Sequence, residues 1–401
     1  MRHISMTSQT CSGCKACASV CALNAIKFSA DSEGFQVPTV NEALCVNCGL
    51  CLKTCPSLNS RQEIEDYPPK AFALQYHDEP VRRNSASGAL FPAFASHFIN
   101  TLGGYVCGCV LDENLTAKHI VSNQWHDVVR MQDSKYVQSD MGLCISEIMK
   151  LLKDRQYVLF SGTSCQVNGL LSALEHKHID TRNLLTIDFF CHGVPSPMIW
   201  KEYVYYYEKK KGKKMEGYRF RNKTYGWGKG TQSRGTGYLS TWKWKGTYHT
   251  DFRIIARMWP RIFFSNLCLR TYCHSCPYSN VNKPADITMG DFWGIEDFHP
   301  DFDDHKGCSL AIIHNEKAEA LMKGLKDTEV LEVSLDEIIN KQGNAFAPSK
   351  PHVRRNEFWK DYAANGFSYL LPKYFNCSTI GRFKAEVKYI LFKLHLRRYS
   401  Y

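Results

Sequence analysis

Cys11, Cys14, Cys17 and Cys21 stand in the spacing C-x2-C-x2-C-x3-C, and Cys45, Cys48, Cys51 and Cys55 repeat it. Thiolates at this spacing are ligands for iron-sulfur clusters or zinc. In such a run three sulfurs two residues apart wrap one iron cube, while the fourth is turned away and ligates the cube of the other run. The pattern therefore predicts two crossed 4Fe-4S clusters. Cys11, Cys14, Cys17 and Cys55 would hold one, and Cys45, Cys48, Cys51 and Cys21 the other. A pair of zinc sites is the competing chemistry, but zinc motifs usually come as two separated pairs of ligands. The first run ends Cys21-Ala22 where the second ends Cys55-Pro56, a difference that relaxes a turn and removes no ligand.

Elements able to position further chemistry begin after a polar linker, Ser57 to Lys70, that contains Pro68-Pro69. Residues 71–76, 105–111, 157–162 and 184–190 are short apolar runs rich in β-branched and aromatic residues, which predicts buried strands. Helices are predicted over 88–102, 142–155, 165–175 and 197–211, so strands and helices alternate as in a layered α/β fold. Between Tyr218 and Phe252 the Gly, Trp and Tyr content suggests short antiparallel strands or an ordered loop. A strand (SLAIIHN) and helices follow Ser309. The expected class is α/β (α+β overall). A bacterial-type two-cluster ferredoxin domain occupies 1–60, an α/β domain 71–315, and a strand with helices 316–401.

Composition agrees with a globular chain: of 401 residues, 44% are hydrophobic and 22% charged, which argues against disorder or a fibrous repeat. The opening MRHISMTSQT has no apolar signal region, so the eighteen cysteines are expected in a reducing cytoplasm, where close spacing means ligation more often than disulfides. No run of about 18 apolar residues predicts a membrane span. A net charge of +11 favours anionic partners such as an acidic ferredoxin. No nucleic-acid motif accompanies that charge.

Five segments occur in order: Ser85-Ala86-Ser87-Gly88-Ala89, Ser134 to Ser139 (SKYVQS), Gly162-Thr163-Ser164-Cys165-Gln166, Cys191 to Pro197 (CHGVPSP) and Asp286 to Gly294 (DITMGDFWG). Together they resemble the beta subunit family of the factor-420 (deazaflavin coenzyme) hydrogenases and dehydrogenases. With the ferredoxin runs, the resemblance covers roughly residues 8 to 315. It implies an α/β domain holding FAD beside an additional 4Fe-4S cluster and exchanging hydride with an organic substrate or a deazaflavin. Clusters move single electrons and hydride chemistry moves two; a flavin converts between them. No G-x-G-x-x-G fingerprint supports a nicotinamide site instead. Two positions depart from the family: Ala89 stands for its usual second glycine, and Ser164 for the proline of its G-T-P-C-Q.

The resemblance places Ser87, Gly88, Lys135 and Gln138 near the flavin, with Lys135 able to neutralise a phosphate or the reduced ring. Cys273 and Cys276 form a C-x2-C pair, and with Cys165 and Cys191 at the ends of predicted strands they are candidates for a third 4Fe-4S cluster. Cys107, Cys109, Cys144, Cys268, Cys308 and Cys377 are expected to be structural, with Cys268 the most credible substitute ligand. His192, beside Cys191 in a Gly/Pro-rich loop, is the candidate acid that would protonate a substrate atom. Expected partners are a ferredoxin or other redox protein and a small-molecule substrate. The opposing class is a non-catalytic electron-transfer subunit of a larger redox complex. In 382–399, Phe383, Val387, Ile390, Leu391 and Leu394 share one helical face. Docking on the protein's own core is the preferred expectation for that face, and peripheral contact with a membrane the other.

Overall fold

The computed structural model describes residues 3–4, 9–59, 67–223, 226–227, 241–250, 257–339, 342 and 345–393. In the N-terminal unit the strands β1 (Ile26–Ala30) and β2 (Gln36–Val40) form an antiparallel hairpin, and the helical turns Ala16–Ser19 and Leu50–Thr54 follow the first cysteines of each run. Each turn is entered through a left-handed residue, Lys15 and Gly49, so the chain bends sharply between neighbouring cysteines.

The larger unit is built on an eight-stranded sheet. The chain first lays down β3 (Lys70–Tyr76), β4 (Tyr105–Leu111), β5 (Ala117–Ser122), β6 (Val158–Ser161) and β7 (Leu184–Phe189). It then leaves for a small separate sheet of β8 (Gly217–Arg219), β9 (Thr241–Trp244) and β10 (Thr247–Thr250). It returns with β11 (Ile287–Asp291), β12 (Ser309–Ile313) and β13 (Thr328–Val333). Across the large sheet the order is β13-β3-β12-β11-β7-β6-β4-β5. The central β11, β7, β6 and β4 run parallel, flanked by antiparallel strands on both sides. The central strands β6 and β7 are apolar almost throughout because both of their faces are covered. Thus the α/β expectation becomes a mixed sheet.

Helix Cys144–Lys153 and helix Ser164–His176 cover one face, and the ferredoxin unit packs on them: Cys14, Ala16 and Val20 share a buried cluster with Met141, Ile145, Val167 and Leu170. The N-terminal turn of Ser164–His176 is held by a capping box between Thr163 and Gln166. Phe91, Phe94 and Phe98 cover the opposite face. Polar bonds fasten the ferredoxin seam. Lys15 pairs with Asp140, Glu33 with Arg355, and Ser196 donates to the carbonyl of Glu33. At Gly169 an added Cβ would stand 2.9 Å from Cys14 Sγ, so the helix meets the cysteine loop at backbone distance. Gly169→Leu is therefore expected to lower stability by about 2 kcal/mol through overpacking. Denaturant unfolding of the purified variant checks this.

Two expectations on organisation are corrected. The division at 315/316 cuts through the sheet, because β13 pairs with β3 along Thr328–Val333 and completes its edge. The C-terminal helix Thr379–Lys393 does not bury its apolar face: Phe383, Val387 and Ile390 are 71%, 39% and 51% exposed. Residues 394–399 of that segment lie outside the described residues, as do 60–66 of the linker and parts of 218–252. By contrast Arg355–Asn365 and Phe367–Phe375 do dock, with Phe358, Leu370 and Leu371 packed against Trp200 and Tyr203.

Candidate functional site

Cys11, Cys14, Cys17 and Cys55 lie together and are each 6% exposed. Burial raises the thiol of Cys17, and the neighbouring sulfurs of Cys14, Cys11 and Cys55 raise it further. Burial likewise raises Cys14, beside Cys55, Cys11 and Cys165. Four crowded sulfurs out of water are stable as a set of thiolates only around positive charge, which iron supplies. Of the remaining cysteines of the two runs, Cys48 is exposed, Cys21 and Cys45 are half-buried, and Cys51 is raised by burial first, with Cys48 among its neighbours. Cys55, from the second run, sits with Cys11, Cys14 and Cys17 of the first.

A second buried group joins distant parts of the chain. Cys165 begins the helix after β6, Cys191 follows β7, and Cys273 lies in the turn Thr271–Ser275, with Cys276 just beyond it. Burial, then the Cys276 sulfur among charged neighbours, lifts Cys165 to about 11; Cys273 is lifted to about 12 by burial, with Cys165 and Cys276 adding to it. Cys191 is raised by burial and by Cys273, Cys165 and Cys276. Cys268 stays outside this group, bonded through its carbonyl to Ser196 N and packed in the aromatic core. Cys14 and Cys165 act on each other's side of the seam, so the first and third groups adjoin. Among the described residues no three His, Cys, Asp or Glu side chains close on a single metal ion. A four-iron cube holds its thiolates at its corners, wider apart than the ligands of one ion.

A cavity of about 370 Å³ opens at the carboxyl ends of the parallel strands, lined among others by Ser87, His119, Asp133, Lys135, Cys191 and Asp291. Such strand ends are where α/β sheets take ligands. Two buried acceptors on it have no partner among the described residues. His119 Nε2 donates to Ser161 O at 3.1 Å, which leaves Nδ1 as an unmatched acceptor. Asp133 Oδ2 accepts from Phe220 N and Arg221 N, while Oδ1 has no partner. Unmatched buried acceptors are costly, so an occupant with N–H or O–H donors fits this wall. A flavin's ring imide and ribityl hydroxyls are such donors.

Burial lowers His119 to about 4, against the smaller raising effect of its Ser161 bond. The unfolded imidazole takes a proton near pH 6.5 while the folded one resists it, so stability is lost as pH falls through that window, by up to about 3 kcal/mol at pH 4. His119→Gln is expected to flatten that part of the pH–stability curve, read by tryptophan fluorescence during urea unfolding.

The expected flavin residues divide. Ser87 lines the cavity but donates its hydroxyl to Cys308 O at 2.5 Å. Gly88 lies under the sheet, where a Cβ would meet the backbone of Leu74 and Ser309, so its role is packing between β3 and β12. Ala89 has φ 70, a left-handed position, and its methyl packs with Tyr76, Val81 and Ala93. The family's glycine there is replaced at a backbone cost of about 1–2 kcal/mol, partly offset by that burial. Lys135 lines the cavity, yet its ammonium donates to the carbonyls of Arg130, Met131, Gln132 and Asp133 and so caps the helix Trp125–Met131. In this arrangement the ammonium serves the helix C-terminus. Gln138 is not at the cavity. It donates to Ser12 O at 3.1 Å and accepts from Arg270, at the first cysteine loop.

His192 borders the cavity between Phe263 and Phe264, but both ring nitrogens are engaged, Nε2 with Asn266 at 2.7 Å and Nδ1 with Ser349 at 3.1 Å. These two partners fix the orientation of the ring at the cavity edge. The site residues that the sequence did not single out are His119 and Asp133 on the cavity wall and Arg270 at the seam. Ala117, His119 and Val121 alternate on one strand face, a signal that placed a histidine inward. Arg270 stands three residues before Cys273, a closeness that gave no hint of burial.

A dicluster cysteine unit seated on a mixed α/β sheet that carries a second buried cysteine group defines an iron-sulfur redox protein. Residues 10–59 match the 4Fe-4S dicluster domain, and residues 155–337 match the family described as the C-terminal part of the coenzyme F420 hydrogenase/dehydrogenase beta subunit. The chain thus carries a dicluster ferredoxin domain ahead of a region, residues 155–337, that is similar to that family. No curated protein matches it. Among solved structures, a chain of the F420-reducing [NiFe] hydrogenase complex from Methanosarcina barkeri is similar at 15% identity and a TM-score of 0.44, over 69% of this chain and 89% of that one.

Proposed function

We propose that this chain is an iron-sulfur flavoprotein oxidoreductase that passes electrons between ferredoxin-type clusters and FAD and exchanges hydride with an organic substrate or a deazaflavin. The observation that carries this is the position of the third cysteine group. It adjoins Cys14 on one side and reaches the cavity through Cys191 on the other. In this assignment the ligands are Cys11, Cys14, Cys17 and Cys55, then Cys21, Cys45, Cys48 and Cys51, then Cys165, Cys191, Cys273 and Cys276.

FAD, when bound, would supply the exchange between single electrons and hydride. The chain's own residues bind, orient and insulate. His119 Nδ1 and Asp133 Oδ1 accept hydrogen bonds from the occupant, and Arg221, paired with Asp291 at 2.8 Å, fixes the wall beside Trp293. The exposed Cys48, with exposed Leu44 and Val46 close to it in the chain, supports the second cysteine run as the face that meets a redox partner such as a ferredoxin. Cluster-bound thiolates are kept intact in a reducing setting such as the cytoplasm, which is where this reading places the chain.

Anaerobic purification with iron, sulfide, zinc and flavin measured together tests the reading. Bound flavin that is reduced through the clusters by a reduced ferredoxin, and reoxidised by a small molecule without a second chain, is the expected result. Protein that takes up no flavin would overturn it. Activity that appears only with a partner chain would favour the electron-transfer subunit instead.

A further inference from the structure

Arg270 is fully buried, and its guanidinium bridges the two units. Nε donates to Cys11 O at 2.5 Å, Nη1 to Gln138 Oε1 at 2.8 Å and Nη2 to Gln36 O at 2.9 Å. The ring of Phe35 lies beneath it, 5.1 Å from the guanidinium carbon. Its backbone starts the turn that presents Cys273, whose N–H bonds to Arg270 O at 2.9 Å. Gly13, inside the first cysteine run, takes φ 79 and rests against Arg270 and Gln138, where a Cβ would stand 3.0 Å from Nη1.

The three oxygen partners of this cation are all neutral. The nearby carboxylates are used elsewhere: Asp31 Oδ1 accepts from Glu33 N and Phe35 N, and Glu33 pairs with Arg355. A buried guanidinium without an anion is strongly unfavourable. The sulfurs within its field are those of Cys11 on one side and of Cys165 and Cys273 on the other, which would be negative as cluster thiolates. Thiolate-bound clusters carry net negative charge that grows on reduction, and nearby positive charge and hydrogen bonds are among the features that set their potential.

We infer that Arg270 is the shared internal counter-ion of the first and third clusters, a positioning residue that clamps the Cys11 loop to the Cys273 turn and raises the reduction potentials of both. This rests on the cluster assignment proposed above. The charge favours the reduced form of each cluster without touching iron, and its access to both keeps the two potentials close, so an electron can cross the seam in either direction.

The test compares wild type, Arg270→Gln and Arg270→Lys by anaerobic redox titration with electron paramagnetic resonance, with iron counted in each sample. With iron retained, Arg270→Gln is expected to shift the signals of the buried clusters to more negative potential and leave the outer, Cys48-bearing cluster unmoved, while Arg270→Lys stays near wild type. Unshifted potentials in iron-replete Arg270→Gln would overturn the inference. If the glutamine variant does not fold, Arg270→Lys decides, since the retained charge must hold the potentials and a negative shift there counts against it. A wild-type count of about eight irons instead of about twelve would refute the third cluster and with it the sharing of Arg270, a failure of the cluster assignment that the iron count alone reveals.

Discussion

Replacing Cys273 with alanine is expected to lower the iron content of the anaerobically purified chain from about twelve atoms to about eight. The flavin would remain bound but no longer be reduced through the ferredoxin unit. The reason lies in the layout. Cys165, Cys191, Cys273 and Cys276 come from three separate segments, and the group they form lies between Cys14 and the cavity. Removing one ligand leaves three buried thiols that hold no cube firmly, while the first two groups keep all eight of their cysteines. Metal analysis and the visible spectrum read the loss directly. Equal iron in variant and wild type would refute a third cluster. Full flavin reduction in a chain short of iron would instead show that electrons bypass that site.

Gly88→Ala is expected to destabilise the chain by about 3 kcal/mol or more, measured by thermal or denaturant unfolding. A Cβ at this position would stand 2.5 Å from Ser309 N and closer still to Leu74 O, and neither backbone atom can move without breaking the β3–β12 pairing. The same measurement separates two roles for the residue. If Gly88 served by letting the backbone approach a flavin, the alanine chain would fold normally and lose flavin affinity. If it serves by letting the loop settle on the sheet, stability falls first.

The pattern of agreement with the sequence is physical. Strands at 71–76, 105–111, 157–162 and 184–190 were legible because a strand buried on both faces reads as a continuous apolar run. The two cysteine runs were legible because their spacing is a property of a few neighbouring residues. β13 was not legible as part of the sheet. Its TEVLEV mixes polar and apolar residues without a strict period, and nothing local names β3 as its partner. Lys135 and Gln138 were assigned by their motif to one ligand, yet Lys135 turns back on the preceding helix and Gln138 crosses to Ser12. A side chain's direction depends on neighbours that the local sequence does not list.

By itself, the amino-acid sequence determined the chemistry available to this protein: eight cysteines spaced for two cubes, four more that can complete another, and the strands and helices that carry them. Tertiary structure alone decided which of those groups face one another. It set Cys14 beside Cys165, turned Cys191 to the cavity, left His119 and Asp133 with open acceptors and sealed Arg270 between two sets of sulfurs. Ligand spacing is a property of a few bonded residues. The distance between groups, and the charge each one feels, arises only when segments more than a hundred residues apart are packed out of water.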